Sequence, residues 1–270
     1  MTEGAARFTP GTPCWVSLMV HDLAASEKFY SELFGWEFEE GPATYGPSVW
    51  ARFGDRQVAG LGEMPEGREL PVTWLPYLAT DDADATCALV RDCGGTVGVG
   101  PLDSGQDGRM AIAADPSGAT FGIWQAGEHA GAPADGSVGT PVWNELVTRE
   151  GAGVSAFYSR VFAYSTEALT PPGPADRDYL TLSVADRAIG GIRGLGRSLP
   201  ADRGPHWTTY FAVADADATA DAVRELGGHV VRGPLDSPYG RLAQITDPEG
   251  AHFAVITLRD PEDAVTRGVR

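Results

Sequence analysis

The chain has 270 residues, 43% apolar and 21% charged, long enough for about two globular domains of roughly 100–200 residues each. A net charge of −17 repels phosphate backbones and anionic lipid, so neither nucleic acid nor a membrane is an expected partner. No apolar run nears the ~18 residues of a membrane span, and the polar start lacks a signal peptide's order; Cys14, Cys87 and Cys93 lack zinc spacing and are expected as reduced core thiols of a cytoplasmic protein.

Residues 1–10 are expected to form a poorly ordered lead-in. Cys14 to Val20 alternates and is rich in apolar residues, the pattern of a half-buried strand. Asp22 is placed to cap a helix whose apolar face is Leu23, Ala25, Phe29, Tyr30, Leu33 and Phe34, and Gly35 is placed to end it. Three strands are predicted near Trp36–Glu39, Val49–Phe53 and Gln57–Leu61, separated by Gly-Pro and Gly-Asp turns. That completes one βαβββ unit. A second follows in the same order: a strand Trp74–Thr80, a helix Asp82–Cys93 stopped by Gly94-Gly95, and strands near Thr96–Val99, Arg109–Ala114 and Thr120–Gln125.

The stretch 127–138 is small, polar and without periodicity, and reads as a linker between domains 1–126 and 139–270. Beyond it the chain repeats itself. Trp15 recurs as Trp143, Phe29-Tyr30 as Phe157-Tyr158, Phe34 as Phe162, Trp74 as Trp207, and Asp115-Pro116-Ser117-Gly118 as Asp247-Pro248-Glu249-Gly250. The four units predict an α+β fold. Each unit's short curved sheet carries a helix on one face, and two units joined edge to edge make a half-barrel with a concave cup. A cup lined by alternate strand residues is a natural small-molecule site. Its walls are expected from Trp15 and Ser17 in one half, and from Trp143 and Glu145 in the other. The central strands add either Trp74 and Pro76 or Leu75 and Tyr77, and either Trp207 and Thr209 or Thr208 and Tyr210.

The strand–Asp–helix element ending Phe-Tyr…Phe-Gly-Trp, the Asp-Asp-x-Asp-Ala element and the Asp-Pro-x-Gly-x-x-Phe ending resemble the vicinal oxygen chelate superfamily. That superfamily comprises glyoxalase I, bleomycin- and fosfomycin-resistance proteins and extradiol dioxygenases, and the likeness is closest to its tandem two-domain actinobacterial members. The resemblance implies tandem βαβββ units forming two half-barrel domains. It also implies where a divalent ion would be held, and there the chain departs from the family. The histidine positions of the first strands fall on Trp15 and Trp143, those of the fifth strands on Leu75 and Thr208, and the closing glutamate positions on Gly122 and Ala254. Only Thr208 offers even a weak ligand, so no resident metal or cofactor is expected. Glu145, His206 and His252 lie two residues from the vacated positions and are an alternative ligand set for the second half alone.

The expected function is therefore capture of a small aromatic or apolar molecule in a metal-free cup. Trp15, Trp143, Trp74, Trp207, Tyr77, Tyr210 and Thr208 are the candidate ligand-binding residues, with Tyr239 closing over the cup. The alternatives are a glyoxalase-like or biosynthetic enzyme with Glu145 as general base and His206 as its partner, and an interaction protein with degenerate cups. Arg109 and Arg241 are expected in ion pairs with neighbouring aspartates, and the oligomeric state as monomer or homodimer.

Overall fold

The computed structural model describes residues 8–42, 46–67, 70–132, 134–169, 178–201 and 203–259, so positions 1–7 of the expected lead-in lie outside the described residues. Four βαβββ units follow one another. The first comprises β1 (Pro13–Val20), α1 (Leu23–Phe34), β2 (Glu37–Glu40), β3 (Ser48–Phe53) and β4 (Arg56–Glu63). The second comprises β5 (Trp74–Thr80), α2 (Ala83–Asp92), β6 (Thr96–Ser104), β7 (Gly108–Ala114) and β8 (Thr120–Ala126). The third has β9 (Pro141–Thr148), α3 (Gly151–Phe162), β10 (Ser165–Ala168), β11 (Tyr179–Val184) and β12 (Arg187–Gly194). The fourth has β13 (His206–Ala212), α4 (Ala216–Glu225), β14 (His229–Ser237), β15 (Gly240–Thr246) and β16 (His252–Leu258).

The signals that start and stop the helices act as the sequence predicts. Asp22 caps α1 by accepting from the Ala25 amide, and Gly35 ends it at a φ of 72°. Asp82 and Asp215 cap α2 and α4 in the same way. Strand β6 runs longer than the predicted Thr96–Val99, because two register shifts carry the ladder past Gly100-Pro101; a bulge is where a strand tolerates a proline without an N–H.

Each half forms one eight-stranded sheet, in the orders β2-β3-β4-β1-β5-β8-β7-β6 and β10-β11-β12-β9-β13-β16-β15-β14. Units join through the antiparallel pairs β1–β5 and β9–β13. Period-two alternation then sorts the side chains. Val16, Leu18 and Val20 face the helices and are buried, while Trp15 and Ser17 face the cup.

The helices lie between the two sheets, and each core is shared by both halves. One core combines Phe29, Tyr30, Phe34 and Trp74 of the first half with Phe211, Val223 and Phe253 of the second. The other combines Val90, Phe121 and Ile123 with Phe157, Tyr158 and Trp207. Reciprocal hydrogen bonds tie them together. The Tyr30 hydroxyl donates to Asp247 Oδ2 at 2.8 Å and accepts from Trp74 Nε1 at 3.1 Å. The Tyr158 hydroxyl donates to Asp115 Oδ2 at 3.0 Å and accepts from Trp207 Nε1 at 3.1 Å. Burial pushes both tyrosines well above their ordinary pKa, and the neighbouring aspartate adds to the effect. Asp115 and Asp247 use their other oxygen to cap their own Asp-Pro-x-Gly turns. One residue type thus shapes the turn and joins the halves.

This arrangement corrects one expectation. Trp74 and Trp207, at 1% and 4% exposure, sit on the helix side of their strands and do not line a cup. Their indoles are consumed by the joint between the halves, so the cup face of β5 and β13 carries Leu75 and Tyr77, and Thr208 and Tyr210.

Candidate functional site: two unequal cups

Strand register defines the floor of each cup. In the first half one row runs Trp50, Gly60, Ser17, Leu75, and the next includes Trp15, Tyr77 and Gly122. In the second half the corresponding rows are Thr181, Gly191, Glu145, Thr208 and then Trp143, Tyr210, Ala254.

The second cup is built around a buried ion pair. Glu145, only 2% exposed, receives Arg193 Nε at 3.0 Å on one oxygen and Nη2 at 3.1 Å on the other. The Tyr210 hydroxyl donates to the same carboxylate at 3.2 Å. The Arg193 guanidinium also lies 5.4 Å from the centroid of the Tyr179 ring, a cation–π distance. Trp143 Nε1 donates to the Tyr179 hydroxyl at 3.3 Å. Burial pushes up the pKa of Tyr179 and Tyr210, with the Glu145 charge adding to it, so both phenols stay protonated and can donate. A buried charge is tolerable only when paired and hydrogen-bonded, and Glu145 meets both conditions. Leu242, Ile256, Val142 and Trp143 supply the apolar wall.

The first cup is different. Ser17 stands where Glu145 does, and its hydroxyl bonds the Tyr77 hydroxyl at 3.2 Å. The Trp15 indole approaches Gly60, with Nε1 3.3 Å from where a Cβ would be, and the Tyr77 ring covers Gly122 so closely that any side chain there would collide. The linker then crosses the cup. His129 stacks on Trp50 with centroids 5.3 Å apart and meets Trp15 edge-on at 4.5 Å and Trp124 at 5.8 Å.

These contacts decide how well a metal would fit. At the family's glutamate position in the first half the space is filled by the Tyr77 ring, and in the second half it is the fully buried Ala254. Trp15 and Trp143 have no lone pair to give. The alternative set of Glu145, His206 and His252 does not assemble, since among the described residues no three His, Cys, Asp or Glu side chains converge to hold an ion. Among the described residues, those lining the two cups do not fit a metal.

His206 is likewise not Glu145's partner. Its Nδ1–H donates to the Gly204 carbonyl at 2.8 Å, and burial lowers its pKa. Tyr239 is 56% exposed at the β14–β15 turn, where its amide donates to Ser237 Oγ at 3.2 Å. Thr208 is buried and faces Glu145 across the β9–β13 ladder. Arg109 pairs with Asp84 at 2.9 Å and Asp103 at 2.6 Å, and Arg241 pairs with Asp217 and Asp236, so both arginines are spent at the outer strands. Sequence reasoning missed Arg193, Tyr179, Trp50 and His129. The first two have no counterparts in the other half, because the positions matched by register are Gly62 and Ser48, and so the repeat could not point to them.

The model of the Glyoxalase/Bleomycin resistance protein/Dioxygenase superfamily matches residues 13–123 and 139–255. The chain is 38% identical over 256 residues to "Putative glyoxylase CFP32" of Mycobacterium tuberculosis, covering 93% of this chain and 96% of that one. It is 37% identical over 278 residues to the anthracycline biosynthesis protein DauV of Streptomyces sp. (strain C5), covering 97% and 98%. In fold it is similar to the Mn(II)-bound glyoxalase from Novosphingobium aromaticivorans, with a TM-score of 0.62 at 16% identity over 97% of this chain and 92% of that one. It is also similar to the 2,3-dioxygenase LapB from Pseudomonas sp. KL28, with a TM-score of 0.63 at 16% identity over 94% and 96%. No helix among the described residues is long and apolar enough to cross a membrane. Two matches of one family model, one on each half, together with relatives similar along nearly their whole length, show that this chain belongs to the glyoxalase/bleomycin resistance protein/dioxygenase superfamily.

Proposed function

We propose that the protein binds a small, largely aromatic organic molecule in its second cup without a metal, in the manner of the sequestering or resistance-type members of its superfamily. One observation carries this reading: Trp143, Tyr179 and Tyr210 form an aromatic wall over the buried Glu145–Arg193 pair. Such a surface offers ring faces for stacking and the Tyr179 hydroxyl as a donor to a ligand's oxygen. Relatives named for anthracycline biosynthesis, similar over their whole length, support an aromatic ligand. Glu145 acts here as the fixed partner that holds Arg193 and Tyr210 in place.

The test is a fluorescence titration with a planar aromatic probe, 1,8-dihydroxyanthraquinone. Saturable quenching is expected in the wild type, with Kd at least about tenfold higher in Trp143→Ala, a loss of roughly 1.4 kcal/mol. Absence of saturation, or an unchanged Kd in the variant, rejects the reading. A catalytic role for the same cup is the second reading, favoured by the biosynthetic names of those relatives. It requires that Glu145→Gln abolish turnover while probe binding persists.

A further inference from the structure

The linker's crossing of the first cup is a feature that ordinary domain spacing does not need. It is stitched down on both sides. Gly127 and Glu128 donate to the carbonyls of Asp107 and Gln106 at 2.8 and 2.9 Å, and Ala132 donates to the Cys14 carbonyl at 2.7 Å. Gly131, at a φ of 107°, passes so close to the Cys14 carbonyl that a side chain there would collide with it. Between these anchors His129 drops its imidazole among Trp50 of β3, Trp15 of β1 and Trp124 of β8, strands that are not neighbours in the sheet. Trp124 Nε1 holds the plug's backbone by donating to the His129 carbonyl at 2.9 Å.

The fit leaves one polar atom unsatisfied. His129 Nε2 is the one buried side-chain polar atom among the described residues without a hydrogen-bond partner, and native interiors rarely leave such a group unpaired. Three indoles thus enclose one flat ring.

We propose that the first cup is a second binding site, selective for a flat nitrogen heterocycle, which the chain fills with His129 as a tethered internal ligand. A free heterocycle has to compete with an imidazole held at an effective concentration on the order of millimolar. In the native protein the first cup is therefore closed to a free heterocycle until the linker yields. This inference is independent of the second-cup reading, since Trp15, Trp50 and Trp124 belong to the first half alone.

The experiment is a titration of untagged His129→Gly with benzimidazole, following the indole N–H signals of the seven tryptophans by NMR. Saturable shifts are expected at Trp15, Trp50 and Trp124 and not at Trp143, with affinity at least about tenfold above that of the wild type. Addition of Trp50→Ala should remove them. His129→Asn carries the same titration if the glycine variant does not fold. In the wild type the His129 ring protons should be shifted upfield by the stacked indole. Shifts confined to Trp143, or no saturation at the three first-cup indoles up to the probe's solubility, overturn the proposal.

Discussion

Glu145 and Ser17 occupy the same place in two copies of one strand, yet one requires a charged partner and the other does not. The second half meets that need with Arg193 and Tyr179, where the first has Gly62 and Ser48. In the first half the Ser17 hydroxyl bonds the Tyr77 hydroxyl instead. Two residues make this asymmetry measurable by pH. Burial lowers the pKa of His129, with Asp107 opposing, and of His206, where the Gly204 carbonyl opposes and Arg203 assists. Below the ordinary value of about 6.5 the unfolded chain then binds more protons than the folded one, so stability is full above that pH and falls as acidification proceeds towards the depressed values. Each histidine contributes a slope of up to about 1.4 kcal/mol per pH unit in that window. Urea unfolding at pH 7 and pH 5.5 should show a falling midpoint, and His129→Gln with His206→Gln should flatten it. A double variant as pH-sensitive as the wild type would contradict the assignment.

At the scale of elements, the two halves obey the same rules with unequal care. Helix α1 has its Asp22 cap and its Gly35 terminator. Helix α3 has no side-chain cap bond from Glu150 and ends on Ala163 at a φ of 56°. The Asp178 carboxylate substitutes at its start by accepting from the Gly151 amide at 3.2 Å. A left-handed alanine costs about 1 kcal/mol that glycine avoids. Ala163→Gly should therefore stabilise the protein by about 0.5–1 kcal/mol and raise its Tm by about 1–2 °C; an unchanged or lower melting temperature would show that the helix end is not strained. Elements of this kind were legible in the sequence, because caps, glycine stops and period-two alternation are local. The face of β5 and β13 was not legible. Trp74 and Trp207 carry the bulk of a cup wall, but the hydroxyls of Tyr30 and Tyr158 that claim their indoles come from helices distant in sequence. Arg193 was hidden for the same reason: it reaches Glu145 only through the β9–β12 register. His129 was hidden because a linker without periodicity gives no sign of where its side chains go.

For the whole molecule, the duplication does more than double a cup. Each core draws on both halves, and the bonds between them are reciprocal: Tyr30 to Asp247 and Tyr158 to Asp115, Trp36 Nε1 to the Gly139 carbonyl at 2.7 Å and the Tyr164 hydroxyl to the Gly11 carbonyl. A half on its own would expose the aromatic face of its helix and strands, a patch too large to leave in water. The repeat also offers a remedy, because Asp115 is the counterpart of Asp247. Two copies of residues 1–126 can set Tyr30 of each opposite Asp115 of the other, and so rebuild the two-sided core as a symmetric dimer. Sedimentation of that fragment should show a folded dimer, and Tyr30→Phe should weaken it by removing the acceptor of Trp74 and a donor to the aspartate, a cost of about 1–3 kcal/mol per pair. A folded, stable monomer would mean that one half buries its own helix face, and that the shared cores follow from tethering alone.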